Sequence, residues 1–178
     1  IITSRGTKGL TVRQIARELK ITDGALYRHF TTKNDIIRLL IRDIETTLLN
    51  NIQESAQKSD DPLEKLKNIF FSHLSYAEQR KGLTFIIINE TLSMKDKKLQ
   101  KEMYEVVRKY LKTIEAILSK GINSGRFRKD LNVASASIAF FGMVQATVII
   151  LALSGFDSSH MSNRLNALLD IYKRGIIL

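Results

Sequence analysis

The sequence predicts an all-α fold, and three observations carry that prediction. Apolar residues recur at helical spacing over most of the chain, and hydrophobic residues make up 44% of it, enough for a packed core. Proline occurs once and glycine nine times in 178 residues, too few turn formers for a many-stranded sandwich or barrel. Residues with the chemistry of helix caps stand in front of the main periodic runs. Cysteine is absent, which removes disulfide frameworks, thiolate zinc sites and cysteine nucleophiles and fits a cytoplasmic location. Lys and Arg number 28 against 18 Asp and Glu, a formal net charge of +10. A chain this basic most often meets nucleic acid or an anionic surface.

The elements follow in order. Thr11-Val12-Arg13-Gln14 reads as a capping box opening a helix over 11–19. Lys20 and Ile21 make a turn. Thr22 can cap a short helix over 22–28, with Asp23 favourable at its positive end. Thr32-Lys33-Asn34-Asp35 is a weaker capping box, with Asp in place of Glu or Gln. It opens a long helix over 33–58 whose apolar face is Ile37, Leu40, Ile41, Ile44, Leu48 and Ile52. Ser59-Asp60-Asp61-Pro62 breaks the chain, and Pro62 suits the first turn of a helix reaching about Lys81, where Gly82 ends it. A shorter apolar helix follows from Leu83 to about Leu92. From Lys97 to Lys120, Met103, Val107, Tyr110, Ile114, Ile117 and Leu118 form one stripe, closed by Gly121 and Gly125. Asn132 caps a very apolar helix running to Leu153. A loop over 155–159 precedes a last helix over 161–177, with Leu165, Leu168, Leu169 and Tyr172 inside.

The front of the chain is the most specific part. Ile15, Ala16, Leu19, Ile21 and Leu26 are apolar at the positions where two crossed helices touch, and Ala16 is small enough for close approach. This is the spacing of a helix-turn-helix, whose second helix lies in the major groove of DNA. Residues 1–35 also hold seven basic and three acidic side chains. The run LTVRQIARELKITDGALYRHFTTKNDII, residues 10–37, resembles the DNA-binding signature of the TetR/AcrR family of transcriptional regulators. Gly6 stands where that family usually ends its first helix. Tyr27, Phe30 and Lys33 match its Y-x-x-F-x-x-K core, and His29 matches its common H-F pair. Lys20 departs from the pattern: many members carry Gly in this turn, and Lys costs about 1 kcal/mol there if the backbone is left-handed.

The resemblance implies a DNA-binding head over 1–35 and a helical effector-binding and dimerisation domain over 36–178. Only Ile1 to Arg5 precede Gly6 and there is no starting Met, so most of a first helix is expected to lie outside this sequence. In the head, Thr22, Asp23, Gly24 and Ala25 are the candidates for reading base edges. Gly24 and Ala25 allow close approach. Arg28 is long enough for a guanine or a phosphate. Tyr27 and His29 can donate to phosphate, and Lys33 can hold one at the next helix's N-terminus. Arg13 and Lys20 flank the groove, with Thr11 grouped beside them, and Phe30 packs inward. The bland alternatives stay open: basic residues on a helix are often only solvated, and Asp23 can act simply as a first-turn acid.

The resemblance further implies that the later helices bind a small effector and hold a homodimer. Phe71, Leu74, Phe85, Asn89, Tyr104, Tyr110, Phe141 and Gln145 would supply an apolar wall with a few polar fixtures, although aromatics at helical spacing also make plain core. Val148, Leu151, Leu165, Leu168, Leu169 and Tyr172 lie on helices too apolar for solvent and would form a four-helix dimer interface. The implied mechanism has two states. A dimer spaced for successive major grooves binds a double-stranded operator, and a small, hydrophobic effector shifts the helix over 33–58 and releases it. The family's usual mode is repression. The alternative is a basic helical adaptor with no specific operator.

Other chemistry is excluded. Ser55-Ala56-Gln57-Lys58 fits S-x-x-K without its partner motifs, His29, His73 and His160 are far apart, and Gly6-Thr7-Lys8-Gly9 lacks phosphate-loop spacing. No enzyme, metal or cofactor is expected. Asn89-Glu90-Thr91 matches a glycosylation sequon but lies in an apolar helix. Ile1-Ile2-Thr3-Ser4 are not expected to form a signal peptide, having no charged region with a long apolar stretch behind it. Ile138 to Leu153 is apolar over 16 residues, interrupted by Gln145 and Thr147, short of the ~20 needed to span a bilayer, so no membrane is expected.

Overall fold

The computed structural model describes residues 11–20, 22–156 and 162–177. Gly6, Ile21, the Leu26 side chain, the loop after Phe156 and His160 lie outside that description. Eight helices form among the described residues: α1 (Val12–Leu19), α2 (Asp23–Tyr27), α3 (Lys33–Gln57), α4 (Pro62–Gln79), α5 (Leu83–Ser93), α6 (Lys97–Asn123), α7 (Val133–Leu153) and α8 (Ser162–Ile176). No strand occurs among them.

Local chemistry sets the starts. The Thr11 hydroxyl accepts from the Gln14 N–H at 3.1 Å, and Thr22 accepts from Ala25 N–H at 3.2 Å. The box before α3 is complete: Thr32 Oγ1 accepts from Asp35 N–H at 3.3 Å, and Asp35 Oδ2 accepts from Thr32 N–H at 2.9 Å. Asp35 also accepts from Thr31. These hydrogen bonds, led by the Thr31 hydroxyl, hold its carboxyl below the usual carboxylate range. Asp61 caps α4 with Pro62 in its first turn, Asp96 caps α6, and Asn132 caps α7. Lys20 ends α1 with φ 55° and ψ 38°, the left-handed conformation that the sequence pattern ties to a glycine.

α3 is the spine. Its 25 residues rise about 37 Å, and it packs on α4, α5 and α6. Ile37, Ile41, Ile44, Leu48 and Ile52 are buried along it, while Leu40 is half-buried. α4 packs on α6 and α7, α6 on α7, and α8 on α7. In the head, α1 crosses α2 and buries Val12 and Ala16. Leu19 does not join that contact. It sits in the last turn of α1, beyond the crossing, and is 60% exposed.

Three further expectations change. The buried stripe of α6 uses Val106 rather than Val107, because Val106 keeps the i, i+4 row that continues to Tyr110 and Ile114. Gly121 does not end α6, which runs to Asn123. A Cβ at Gly121 would lie 2.0 Å from Cδ2 of Phe127, so this glycine makes room for a fully buried ring. Gly125, at φ 72°, makes the turn that brings Phe127 back, and the Arg126 and Phe127 N–H groups both donate to Gly121 O. The length argument against a membrane span also gives way. α7 has 21 residues and is long and apolar enough to cross a bilayer. One face of α7, with Phe140, Val144, Thr147, Val148 and Leu151, is buried and packs on α4, α5, α6 and α8.

Gly121→Ala should therefore destabilise the chain by about 1–3 kcal/mol through overpacking. Phe127→Leu in the same chain should recover part of that loss. Gly125→Ala should cost about 1 kcal/mol from backbone strain alone, with no recovery from Phe127→Leu. Urea unfolding of the singles and doubles measures the couplings.

Candidate nucleic-acid interface and effector core

α2 and its flanks carry the candidate interface. Thr22, Asp23, Gly24, Tyr27, Arg28 and His29 are exposed, and Ala25 is half-buried. Thr11 and Lys20 are exposed beside them on the ends of α1. Arg13 and Asp23 form an ion pair at 3.2 Å between α1 and α2, giving Asp23 a partner as well as a place at a helix start. Phe30 packs partly buried against the core. A Cβ at Gly24 would meet nothing within 4 Å, so nothing in the chain's own packing requires glycine there.

Lys33 is placed differently from a free phosphate ligand. Its Nζ donates to Glu90 Oε1 on α5 at 2.5 Å. One residue on, Asn34 Nδ2 donates to Asp96 Oδ2 at 2.6 Å. One turn on, Arg38 Nε donates to Glu102 Oε1 on α6 at 3.0 Å. Glu102 and its hydrogen bond keep the Arg38 guanidinium above its ordinary value, and the Leu99 and Lys98 N–H groups help hold Asp96 below its own. The first two turns of α3 are thus tied by side chains to α5, to the α5–α6 turn and to α6. The pattern of residues 10–37 holds no hint of these links, because every partner lies more than fifty residues away.

The eight expected effector residues do not form one wall. Leu74 and Tyr110 are buried, while Phe71, Phe85, Phe141 and Gln145 are half-buried. Asn89 and Tyr104 lie outside the buried core. Asn89 is exposed and its Nδ2 donates to Phe85 O in its own helix at 2.8 Å, and Tyr104 is 64% exposed on the outer face of α6. The aromatic core also includes three residues outside that set, Phe70, His73 and Phe140. Tyr110 meets Phe141 at 5.3 Å and His73 at 5.4 Å between ring centroids. Phe70 meets Phe71 at 5.4 Å and Phe140 at 6.4 Å. His73 Nδ1 lies 3.4 Å from the Tyr110 hydroxyl. Burial drives the His73 ring down to about 4 and raises the Tyr110 hydroxyl. The available signal for His73 was its place between Phe70 and Ala77 on the buried face of α4. A polar groove of about 530 Å³ lies between α3 and α4, with Phe71 among its lining residues beside Ser55, Ser72 and Gln79.

The dimer candidates also divide. Val148 and Leu151 are buried inside the chain, and Leu165, Leu168, Leu169 and Tyr172 pack partly buried against its own core. Tyr172 donates to Ala136 O at 2.9 Å. The outward face of α7 is a different row: Ala134, Ile138, Gly142, Ala146 and Ile150 are all exposed. Leu153 beyond it is 83% exposed, and Ile171 on α8 68%.

Comparison with known proteins places this architecture. The model described as bacterial regulatory proteins, tetR family, matches residues 1–40, and that of the YsiA-like protein C-terminal region matches 42–170. The chain belongs to the TetR family and is a ligand-responsive, DNA-binding transcriptional regulator. Among its relatives is the fatty acid metabolism regulator protein of Bacillus subtilis (strain 168), 26% identical over 95% of this chain and 88% of the relative. The HTH-type transcriptional repressor KstR2 of Mycolicibacterium smegmatis is 31% identical over 75% of this chain and 65% of its own. Among solved structures, FadR from Bacillus subtilis in complex with stearoyl-CoA shares the fold at a TM-score of 0.82, with 24% identity over 99% of this chain and 94% of that one.

Burial of His73 predicts an acid-sensitive stability. The unfolded ring takes its proton near pH 6.5 and the folded one near 4. Between these values the unfolded state binds more protons, so stability falls as the pH drops, by about 3 kcal/mol in all. Urea unfolding from pH 7 to pH 4 should show this loss, and His73→Leu should flatten it.

Proposed function

We propose that this chain is a homodimeric repressor, released from a double-stranded DNA operator by a long-chain acyl-CoA. The observation that carries the effector class is the likeness to a fatty acid metabolism regulator over 95% of the chain, together with a solved structure of the same fold holding stearoyl-CoA. The head spans 1–35 and the effector and dimer domain 36–178. Thr22, Gly24 and Ala25 face the base edges, Tyr27, Arg28, His29 and Lys33 take phosphates, and Thr11, Arg13 and Lys20 flank the groove. The open space at Gly24 supports this reading. A helical glycine costs up to about 1 kcal/mol against alanine, its own chain does not need it, and a groove floor in close contact does.

The same logic supports the dimer. A Cβ at Gly142 or at Gly175 would meet nothing within 4 Å, and both glycines lie on exposed positions of α7 and α8. A second copy packed on the Ala134–Ile138–Gly142–Ala146–Ile150 row would cover the apolar face that a lone chain leaves in water, and small residues let the helices approach closely. Two heads held this way would meet successive major grooves, ~34–36 Å apart.

The links from Lys33, Asn34 and Arg38 supply the coupling. A shift of α5 or α6 around an effector moves the first turns of α3 and with them the reading helix. Differential binding of a few kcal/mol is enough to change operator occupancy.

Fluorescence anisotropy with a selected operator tests the head. Tyr27→Phe and Lys33→Ala should each weaken binding three- to tenfold, about 0.6–1.4 kcal/mol, and by similar factors on other duplexes. Glu90→Gln should strengthen it by a like factor, since it frees the Lys33 ammonium for a phosphate. Unchanged affinity in Lys33→Ala removes that residue from the interface. Light scattering tests the dimer: Ala146→Glu and Ile150→Glu should each give a monomer of unchanged helicity.

A further inference from the structure

We propose that a pocket formed by the last turns of α3, the start of α4 and the second half of α6 binds the phosphorylated head of the effector, through Lys65, Lys112 and Lys120. The inference rests on the acyl-CoA reading above and assigns the site of the anionic part. The pocket is an open surface groove of about 510 Å³, and its lining includes three lysines and no carboxylate. Its apolar portion is Ala56, Ala116 and Ile117, and the last of these belongs to the core cluster. An open groove with a small apolar patch and three cationic groups fits the anionic head of an amphiphile, held at the surface.

The lysines are available. Nearby basic side chains on the same two helices are committed: Lys67 to Glu64, Arg108 to Glu105, and Lys109 to Glu45. Lys112 and Lys120 are exposed and take part in no ion pair among the described residues. They stand eight residues apart on one helix, about 12 Å along its axis, so they can engage two separate phosphate groups. Lys65 is fixed at the rim, where its Nζ donates to Ala56 O at 2.8 Å and keeps further N–H donors for a ligand.

The operator is not the anion. Gln53, the pocket's first α3 residue, lies twenty positions after Lys33, about 30 Å along α3 from the head. A phosphate group carried by a small molecule is what this distance leaves, and coenzyme A carries three.

Calorimetry on the full-length chain, with stearoyl-CoA, stearate and free coenzyme A as probes, tests the assignment. The Lys112→Glu/Lys120→Glu variant should bind stearoyl-CoA at least tenfold more weakly than wild type and need correspondingly more of it to leave the operator. Lys101→Glu/Lys129→Glu, with the same charge change outside the pocket, should stay within twofold. Equal stearoyl-CoA affinity in wild type and the pocket variant overturns the proposal. So does a wild type that binds stearate as tightly as stearoyl-CoA, which would keep a fatty-acyl effector but place its head elsewhere. A wild type that holds its operator and binds none of the three probes overturns the acyl-CoA reading itself, and the pocket assignment with it.

Discussion

The continuity of α3 is the constraint on which the rest of the molecule depends. One helix runs from Lys33 in the head to Gln57 beside the basic pocket. An α-helix of this length transmits a tilt because its hydrogen bonds are internal and its buried face is packed throughout. Ile37, Ile41, Ile44, Leu48 and Ile52 leave no slack along it. Its start is fixed by the reciprocal Thr32 and Asp35 hydrogen bonds, which set where the turn after α2 ends. The chain leaving α2 therefore enters the same rod that packs on α4, α5 and α6, and in the proposed function a displacement of that rod is what links effector and operator.

Polar side chains decide which displacement counts. Lys33, Asn34 and Arg38 reach three successive points on α5, the following turn and α6. Each pair alone is worth little, since partly exposed ion pairs gain back most of what desolvation and side-chain ordering take. Their value is geometric: they make the beginning of α3 follow α5 and α6 rather than solvent. Lys33 has two possible anions in such a scheme, the Glu90 carboxylate and a DNA phosphate, so occupancy of one affects occupancy of the other. The coupling needs no contact between effector and DNA.

Much of the fold was legible because its signals are local. Thr11, Thr32, Asp61 with Pro62, and Asn132 each mark a helix start by chemistry within four residues, and each does so in the structure. The left-handed turn at Lys20 was legible for the same reason. What failed was non-local. Gly121 and Gly125 look alike as helix terminators, and the Phe127 ring packed on the first and the positive φ of the second separate their roles. α7 is apolar all round, so periodicity cannot tell its inner row from its outer row; Val148 and Leu151 face in while Ile150 faces out. Tyr104 and Asn89 sat in apolar company along the chain but not across it.

The residues that sequence reasoning missed share a property: their neighbours come from other helices. His73 is ordinary on α4 until Tyr110 from α6 closes over it. Lys112 and Lys120, in the proposed head site, are ordinary surface lysines until Ala56 and Lys65 are brought beside them. The head could be read from one stretch because a helix-turn-helix is assembled from contiguous chain and its chemistry must point outward to a regular polymer. An effector site has no such obligation. It is drawn from whichever faces three packed helices leave uncovered, and the pattern on any one of them records only that helix's share.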